Sequence, residues 1–311
     1  MRLGYGGEVV AALLLDALFG EPPEDLHPTV WMGRAISAFE KRALKLKSPQ
    51  ARWLAGVALA CALPAFVYLS VRVVLHITPR PLREALGVAL ISTSLSMRSL
   101  ANAARSVERE LHRGDLERAR VSVGALVGRD TVGLSTAGIS RAAVESVAEN
   151  ASDGVVAPML YGFLFGAPGA LAYKAVNTLD SMVGYRAGPY AELGWASARL
   201  DDLANLAPAR ATALAAAAVS GKPIGTFATA RRYGPLTTSP NAGWAEAAFA
   251  GALGISLGGT NYYGGVVRRG PILGEGRRPE PEDIRRAVRL MRRCCVLVTA
   301  VGVLAGRVRR G

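Results

Sequence analysis

The sequence predicts an all-α, polytopic integral membrane protein with helical hairpins and a cytoplasmic helical portion. Three observations lead there. Half of the 311 residues are hydrophobic, yet the formal net charge is +13. Mean hydropathy is positive. Apolar runs alternate with basic stretches, the pattern of a membrane protein whose Lys and Arg hold its loops on the cytoplasmic side. Nucleic acid is the rival explanation for the charge. Against it stand interleaved acidic residues, no zinc-finger spacing, no aromatic-rich RNA-binding motif, and an aromatic content of 6%, too low for base stacking. Cys61, Cys294 and Cys295 show no metal spacing and read as small apolar residues in a reducing compartment. Met1 to Gly7 carries only Arg2, and no clear signal peptide follows. With no linker or fixed-period repeat, residues 1–311 read as one membrane-embedded helical domain, with 97–153 as a cytoplasmic helical insertion.

The elements follow in order. Val9 to Gly20 is apolar but short for a span of about 20 residues, and Asp16 inside it marks either a functional carboxylate or a buried helix. Glu21-Pro22-Pro23 stops that helix. His27-Pro28 is extended, and His27 is a candidate ligand or acid–base group beside the plainer reading of an ordinary loop histidine. Gly33 to Arg52 is basic and amphipathic, a membrane-surface helix. Trp53 to Leu75 is the clearest transmembrane segment, with Arg72 near one end and Pro64 as a kink. Leu86 to Met97 is a candidate return crossing. Ser99 to Val127 is charged and helical, broken at Gly114-Asp115. Gly154 to Val176 carries Gly166-Ala167-Pro168-Gly169, a turn signal that predicts a helical hairpin instead of a full crossing. Tyr185 and Arg186 close that region. Asp201 and Asp202 are a carboxylate pair that binds metal or caps a helix, with capping the stronger reading. Leu206 to Ser220 is Ala-rich and a candidate span, although Arg210 sits in it. Ser239 to Trp244 is a rigid polar loop leading to Glu246 on an Ala/Gly-rich helix. Leu257 to Gly265 is glycine-rich without a P-loop or Rossmann fingerprint. Arg268 to Arg293 is basic, with a helix from Glu282, and Cys294 to Gly306 is a last apolar segment. The basic segments 33–52, 98–120 and 268–293 are expected on the cytoplasmic side.

The chemistry concentrates between Gly128 and Asn177. Glu145, Glu149 and Asp153 are spaced i, i+4, i+8 and share one helical face, with Arg141 one turn before Glu145 and Asn150 beside Glu149. Three carboxylates on one face repel unless a cation lies between them, and Mg²⁺ takes such oxygen ligands together with water and phosphate. The plainer reading is a solvated face with an Arg141–Glu145 pair worth about 0.2–0.5 kcal/mol. Lys174, Asn177, Asp180 and Ser181 cluster on about a third of the next helix. Lys174 is either a phosphate-neutralising group or a side chain snorkelling at a membrane edge.

Four motifs in this order resemble one family. They are Asp16 with Gly20-Glu21-Pro22-Pro23 and His27-Pro28; Gly138 to Asn150 with Ser152-Asp153-Gly154; Lys174 to Met182; and Ser239-Pro240-Asn241-Ala242-Gly243. Over roughly residues 9–306 the chain resembles the CobD/CbiB family, the adenosylcobinamide-phosphate synthases of cobalamin biosynthesis. The resemblance implies a multi-pass protein of the cytoplasmic (inner) membrane, in contact with lipid. It implies an ATP-dependent acid–amine ligase joining adenosylcobyric acid to aminopropanol phosphate, or to aminopropanol. ATP and Mg²⁺ would serve the reaction, with the adenosylcorrinoid as substrate. Position 21 holds Glu where the family pattern leads one to expect Asp, and Thr237-Thr238 stand where a basic residue or His is expected. The reaction class points to an acyl phosphate, because a carboxylate must be activated before an amine displaces its oxygen. On this reading Glu145, Glu149 and Asp153 hold the metal. Glu145, Glu149, Lys174 and Asp180 are the catalytic candidates. Asp16, His27, Arg129, Asp130, Arg141, Asn150, Asn177, Ser239 and Asn241 bind substrate or phosphate. Candidate protein partners are a second copy of the chain or other cobalamin-assembly enzymes.

Two rivals remain at this stage. A membrane transporter or scaffold explains the apolar runs and Asp16 but not the polar cluster from Arg129 to Asp153. A membrane phosphotransferase suits the carboxylates equally well. Neither accounts for the ordered motifs.

Overall fold

The structure, a computed structural model, describes residues 4–185 and 188–308. Arg186 lies outside them. Fourteen α-helices and one β-hairpin are found among the described residues. The all-α expectation is thus corrected at one place, the hairpin. The chain divides into two compact units, Met1–Ser96 with Ala157–Asn205 and Val301–Gly311, and Met97–Val156 with Leu206–Ala300.

The first unit holds α1 (Tyr5–Phe19), α2 (Pro28–Ala43), α3 (Pro49–Ile77), α4 (Arg80–Ser92), α8 (Ala157–Val183), α9 (Tyr190–Leu193) and α10 (Trp195–Ala204). His27 caps α2, accepting the Thr29 amide at Nδ1 (3.2 Å), and Pro28 fills the first helical position. The amphipathic basic helix therefore ends at Ala43, and Arg52 belongs to α3, not to the surface helix.

The expected hairpin is present in α8. Gly166 has φ +68°, a conformation open to glycine but strained for a side chain, and the helix reverses there. Tyr161 and Tyr173 consequently stack with ring centroids 5.0 Å apart, although twelve residues of straight helix would separate them by about 18 Å. The α8 hairpin packs against α1, α2, α3, α4 and α10. Leu171 and Ala175 meet Met32 and Val67, while Leu179 and Val183 meet Ile36 and Leu59. This small-and-branched alternation lets the arm from α8 sit between α2 and α3.

Two segments are long and apolar enough to cross a membrane, Pro49–Ile77 and Thr136–Val183. The second is interrupted by a π turn at Ser152–Val156 and by the reversal at Gly166, so only α3 is one continuous rod. At 29 residues α3 is about 43 Å long, and Leu54, Phe66, Leu69, Val73 and Ile77 on it are exposed. The candidate crossings α4, at 13 residues, and α11, at 14, are each near 20 Å, short of a hydrocarbon core of about 30 Å.

The second unit holds α5 (Met97–His112), α6 (Leu116–Gly124), α7 (Thr136–Ala151), the π turn, α11 (Leu206–Val219), α12 (Pro223–Tyr233), α13 (Ala242–Leu253), the hairpin of β1 (Leu257–Tyr263) and β2 (Val266–Leu273), and most of α14 (Pro281–Val308). The break at Gly114-Asp115 falls where the sequence places it, with Asp115 capping α6. α13 packs on α7, α11 and α12, and Ala245, Ala247, Ala248 and Ala250 on it are fully buried. Small side chains are what permit three helix neighbours at once. β1 and β2 pair antiparallel from Leu257–Leu273 to Tyr263–Val266, closed by Gly264 and Gly265. Both glycines have positive φ, as a two-residue hairpin turn of primed type requires.

Candidate active site

In the second unit the polar face of α7 and the preceding loop are engaged by the β-hairpin. Glu145 is buried and accepts Arg129 Nη2 at 2.5 Å and the Gly258 amide at 2.6 Å. Arg129 also donates to Asn261 Oδ1 (2.6 Å). Arg141 donates to the carbonyls of Gly258 and Thr260, the latter at 2.9 Å, and to Asn261 Oδ1 at 2.7 Å. Asp130 accepts the amides of Gly264 (3.0 Å) and Gly265 (2.7 Å), and its own amide donates to Tyr262 O (2.8 Å). Three of the residues expected to meet phosphate or substrate, Arg129, Asp130 and Arg141, thus hold the hairpin. They can reach a ligand only beside those bonds.

The other carboxylates of α7 differ. Glu149 is exposed, and Asp153 lies half-buried in the π turn. Asn150 Nδ2 turns back to the Ser146 carbonyl (2.9 Å). Among the described residues no three His, Cys, Asp or Glu side chains converge as a metal-binding group, so the expected trio is not preassembled. Glu246 on α13 instead joins this face. Its carboxyl is pushed well above the usual range by burial and then by the charges of Glu145 and Glu149, with Arg129 acting the other way. Glu246 is the only charged residue of α13, and that isolation in an Ala/Gly helix was the signal the sequence offered for it. A divalent cation between Glu246 and Glu149 would relieve the repulsion, and Mg²⁺ needs only one or two carboxylates when water and phosphate complete its shell. The residues present fit such an ion at that pair.

Ser239 and Asn241 begin α13. Ser239 Oγ accepts the amides of Asn241 (3.2 Å) and Ala242 (3.3 Å), and Asn241 Oδ1 accepts from Arg210 Nη1 (2.6 Å). Arg210 lies 4.8 Å over the Trp244 ring. The sequence did not single out Arg210 for this loop, because its partner is 31 residues away.

The first unit carries the remaining candidates. Asp16 is fully buried in α1. His27 is a helix cap whose Nε2 lies 3.6 Å from Glu21, the residue that follows the α1 cap glycine. Lys174, Asn177 and Asp180 are half-buried along the second arm of α8, and Ser181 Oγ turns back to Asn177 O (2.9 Å). Beside them lies α10. Asp201 and Asp202 sit in its last turn, whereas its N-cap is Gly194, so the capping expectation is corrected. Burial, and next the charge of Asp180, raise the Asp201 carboxyl to about 7, against the pull of Asn205 and Asn177. Tyr173 OH donates to Asn205 Oδ1 (2.8 Å). An apolar cavity of about 470 Å³ adjoins, lined by Tyr68, Tyr161, Phe165, Tyr173, Leu200 and Ala204 among others.

The comparisons with known proteins decide the family. The CobD/Cbib protein family matches residues 9–291. The chain belongs to the CobD/CbiB family. It is 45% identical over 314 residues to the cobalamin biosynthesis protein CobD of Geobacter metallireducens, covering 96% of each chain. To the CobD protein of Synechocystis it is 43% identical, over 86% of this chain and 81% of that one. To the cobalamin biosynthesis protein CbiB of Salmonella typhimurium it is 40% identical, over 94% and 95%. No solved structure matches the chain. In this chain the motif from Gly138 to Gly154 lies in α7 and the π turn, Lys174 to Met182 lies in the long arm of α8, and Ser239 to Gly243 opens α13.

Proposed function

We propose that the protein joins adenosylcobyric acid to aminopropanol phosphate or aminopropanol, giving the corresponding adenosylcobinamide at the expense of ATP. Family membership supports a role in cobalamin biosynthesis. The observation that carries the finer reading is the acidic face of Glu149 and Glu246 beside the arginines that hold the hairpin. A carboxylate and an ammonium do not condense at neutral pH. The acid needs a leaving group, and the amine must lose a proton. ATP would supply the first as an acyl phosphate, whose phosphate leaves when nitrogen attacks. Mg²⁺ held by Glu149 and Glu246 would screen the phosphate charges. The first unit carries a polar set of its own, Lys174, Asn177 and Asp180, whose chemistry suits a phosphate or an amine. We place the chain in the cell membrane as a multi-pass protein; the exposed apolar length of α3 supports the contact with lipid.

The test is an assay of purified protein with adenosylcobyric acid, MgATP and aminopropanol phosphate, following the corrinoid by mass. The expected product is heavier by the amine minus water, with one ADP per amide. No product with either amine, from folded protein, would remove the ligase reading. Glu149→Gln is expected to lower turnover by two or more decades, and near-normal turnover would take Glu149 out of the metal pair.

A further inference from the structure

In the second unit, α11 and α12 pack inside out. The turn Ser220-Gly221-Lys222 joins them as a helical hairpin, with Gly221 at φ +77°. α12 buries Thr226 and Ala230 but leaves Ile224 85% and Phe227 36% exposed. α11 buries Thr212, Ala213 and Ala216 but leaves Leu214 54% exposed. The inner side is tight: a Cβ on Gly251 of α13 would come 2.9 Å from that of Thr229. Hydroxyls and small side chains inside with large aliphatic ones outside reverse the pattern of a helix facing water. They match helices packed in a bilayer, where small residues let backbones approach and large apolar ones meet lipid.

The exposed side is a groove with charge at its ends. Ile224, Phe227, Ala228 and Arg231 fall at i, i+3, i+4, i+7 on one stripe of α12. With Leu214 and Ala218 they line a cavity of about 710 Å³, whose only charged lining residues are Arg231 and Arg232. Arg232 pairs with Glu275 at 2.7 Å. Arg231 has no ion pair or side-chain hydrogen bond among the described residues. Lys222 is exposed at the other end of α12, nine residues and about 14 Å away. The rim is therefore cationic at both ends. A second copy of this face would bring those cations against one another. Lys222 also sets the depth. A hairpin entering turn-first would carry it toward the bilayer centre, where a charge is strongly disfavoured. Lying flat, the hairpin keeps Lys222 and Arg231 at headgroup level and sinks Leu214, Ile224 and Phe227 about 5–10 Å to the acyl boundary.

We propose that the outer face of the α11–α12 hairpin is an in-plane docking surface for anionic phospholipid. An acyl chain lies along Leu214, Ile224 and Phe227, and Arg231, with Lys222 at the far end, meets headgroup phosphate. The proposal rests on the reading of the chain as a membrane protein and goes beyond it. The second unit holds its own contact with the lipid surface, from one side and without a crossing, which accounts for an apolar α11 that is too short to span. It is independent of the ligase chemistry.

The experiment attaches bimane to the full chain carrying Cys61→Ser and Ile224→Cys, in phosphatidylcholine nanodiscs with increasing phosphatidylglycerol. Cys294 and Cys295 are buried, and Ile224 is exposed enough to replace without disturbing the fold. Bromine on the acyl chains of one lipid at a time reports which lipid touches the probe, and aqueous iodide reports water. The expected result is quenching by brominated phosphatidylglycerol at a lower mole fraction than by brominated phosphatidylcholine, with protection from iodide. Adding Arg231→Gln should raise the mole fraction of phosphatidylglycerol needed for half-maximal quenching about fivefold. The proposal is overturned if iodide quenches the probe and brominated lipid does not. It is overturned equally if neither reaches the probe, with two chains per disc marking a second copy as the occupant and one chain marking another protein surface. Equal quenching by the two lipids, unchanged by Arg231→Gln, removes the anionic headgroup. Bimane on native Cys61 of α3 separates the two readings. Quenching there by lipid but not at position 224 ends this proposal alone, whereas iodide quenching at both ends the membrane reading as well.

Discussion

Glu145→Gln separates a structural from a catalytic role for the central acid. Glu145 is buried, with Arg129 at 2.5 Å, the Gly258 amide at 2.6 Å and Arg141 Nε at 3.8 Å. The Arg129 side chain is only 6% exposed. Replacing the carboxylate by an amide keeps the shape but leaves a buried guanidinium without its counter-charge. Breaking one side of a buried pair costs about 3–5 kcal/mol. A carboxamide oxygen can still accept one of the bonds, returning about 1 kcal/mol. Relief of the repulsion on Glu246 offsets a little more. The expected loss is therefore about 2–4 kcal/mol, which for a unit of this size lowers the melting temperature by about 5–15 °C. Thermal unfolding in nanodiscs reads the loss. Hydrogen exchange of the amides from Leu257 to Leu273 reads its location, since the hairpin loses the anchor at its base. A melting change under 2 °C with unchanged hairpin exchange would refute this reasoning. Lost turnover in that same variant would then mark Glu145 as a residue that meets substrate.

Three further outcomes follow from the same geometry. Asp130→Ala should speed exchange at Gly264 and Gly265 while costing only about 1 kcal/mol, because those turn amides are exposed and water can replace the carboxylate; slow exchange at the tip in the variant would count against the clamp. Asp201→Asn should stabilise the protein at pH 8 and not at pH 4: burial and Asp180 raise the native carboxyl to about 7, so the native state holds a proton the unfolded chain has lost, and wild-type stability falls as pH rises from about 4 to 7. Melting curves of both proteins across that window check it, and parallel curves would contradict the shift. Cys294 is buried and, with Cys295 beside it, its thiol is pushed up to about 12, whereas Cys61 is exposed on α3. A lipid-soluble maleimide should therefore label one thiol per folded chain, and fast labelling of Cys61 by a membrane-impermeant reagent in intact vesicles would argue against lipid around α3.

What the sequence revealed divides along a physical line. Features set by a few adjacent residues were legible. Gly166 to Gly169 foretold the reversal in α8, Gly114-Asp115 the break between α5 and α6, and the i, i+4 spacing of Arg141 and Glu145 their shared face. Features set by distant partners were not. Nothing near Arg129 says that Asn261, 132 positions later, receives its guanidinium. The β-hairpin was locally readable in part, since Tyr262-Tyr263-Gly264-Gly265-Val266-Val267 places a Gly-Gly turn between residues suited to strands, but its glycines and arginines read more readily as a loop and a basic segment. The Asp201–Asp202 pair misled because a local rule for helix caps was applied to residues at the other end of α10.

The same division bears on how site residues are assigned in this chain. Arg129, Asp130, Arg141 and Glu145 bond to one another and to the hairpin backbone, so their charges are largely neutralised inside the protein even though Arg129 Nε and Arg141 Nε are buried without a partner. Groups that satisfy each other lower the energy of the folded chain but have little left with which to hold a ligand. The groups whose surroundings oppose them are different ones. Glu246 is forced toward protonation by burial and by the charges of two other acids. Such positions cost stability and persist only where something outside the chain repays it, which is the usual mark of a functional site. In the second unit the arginine and acid network is therefore the frame, and Glu246 with Glu149 is the pair we propose for the cation.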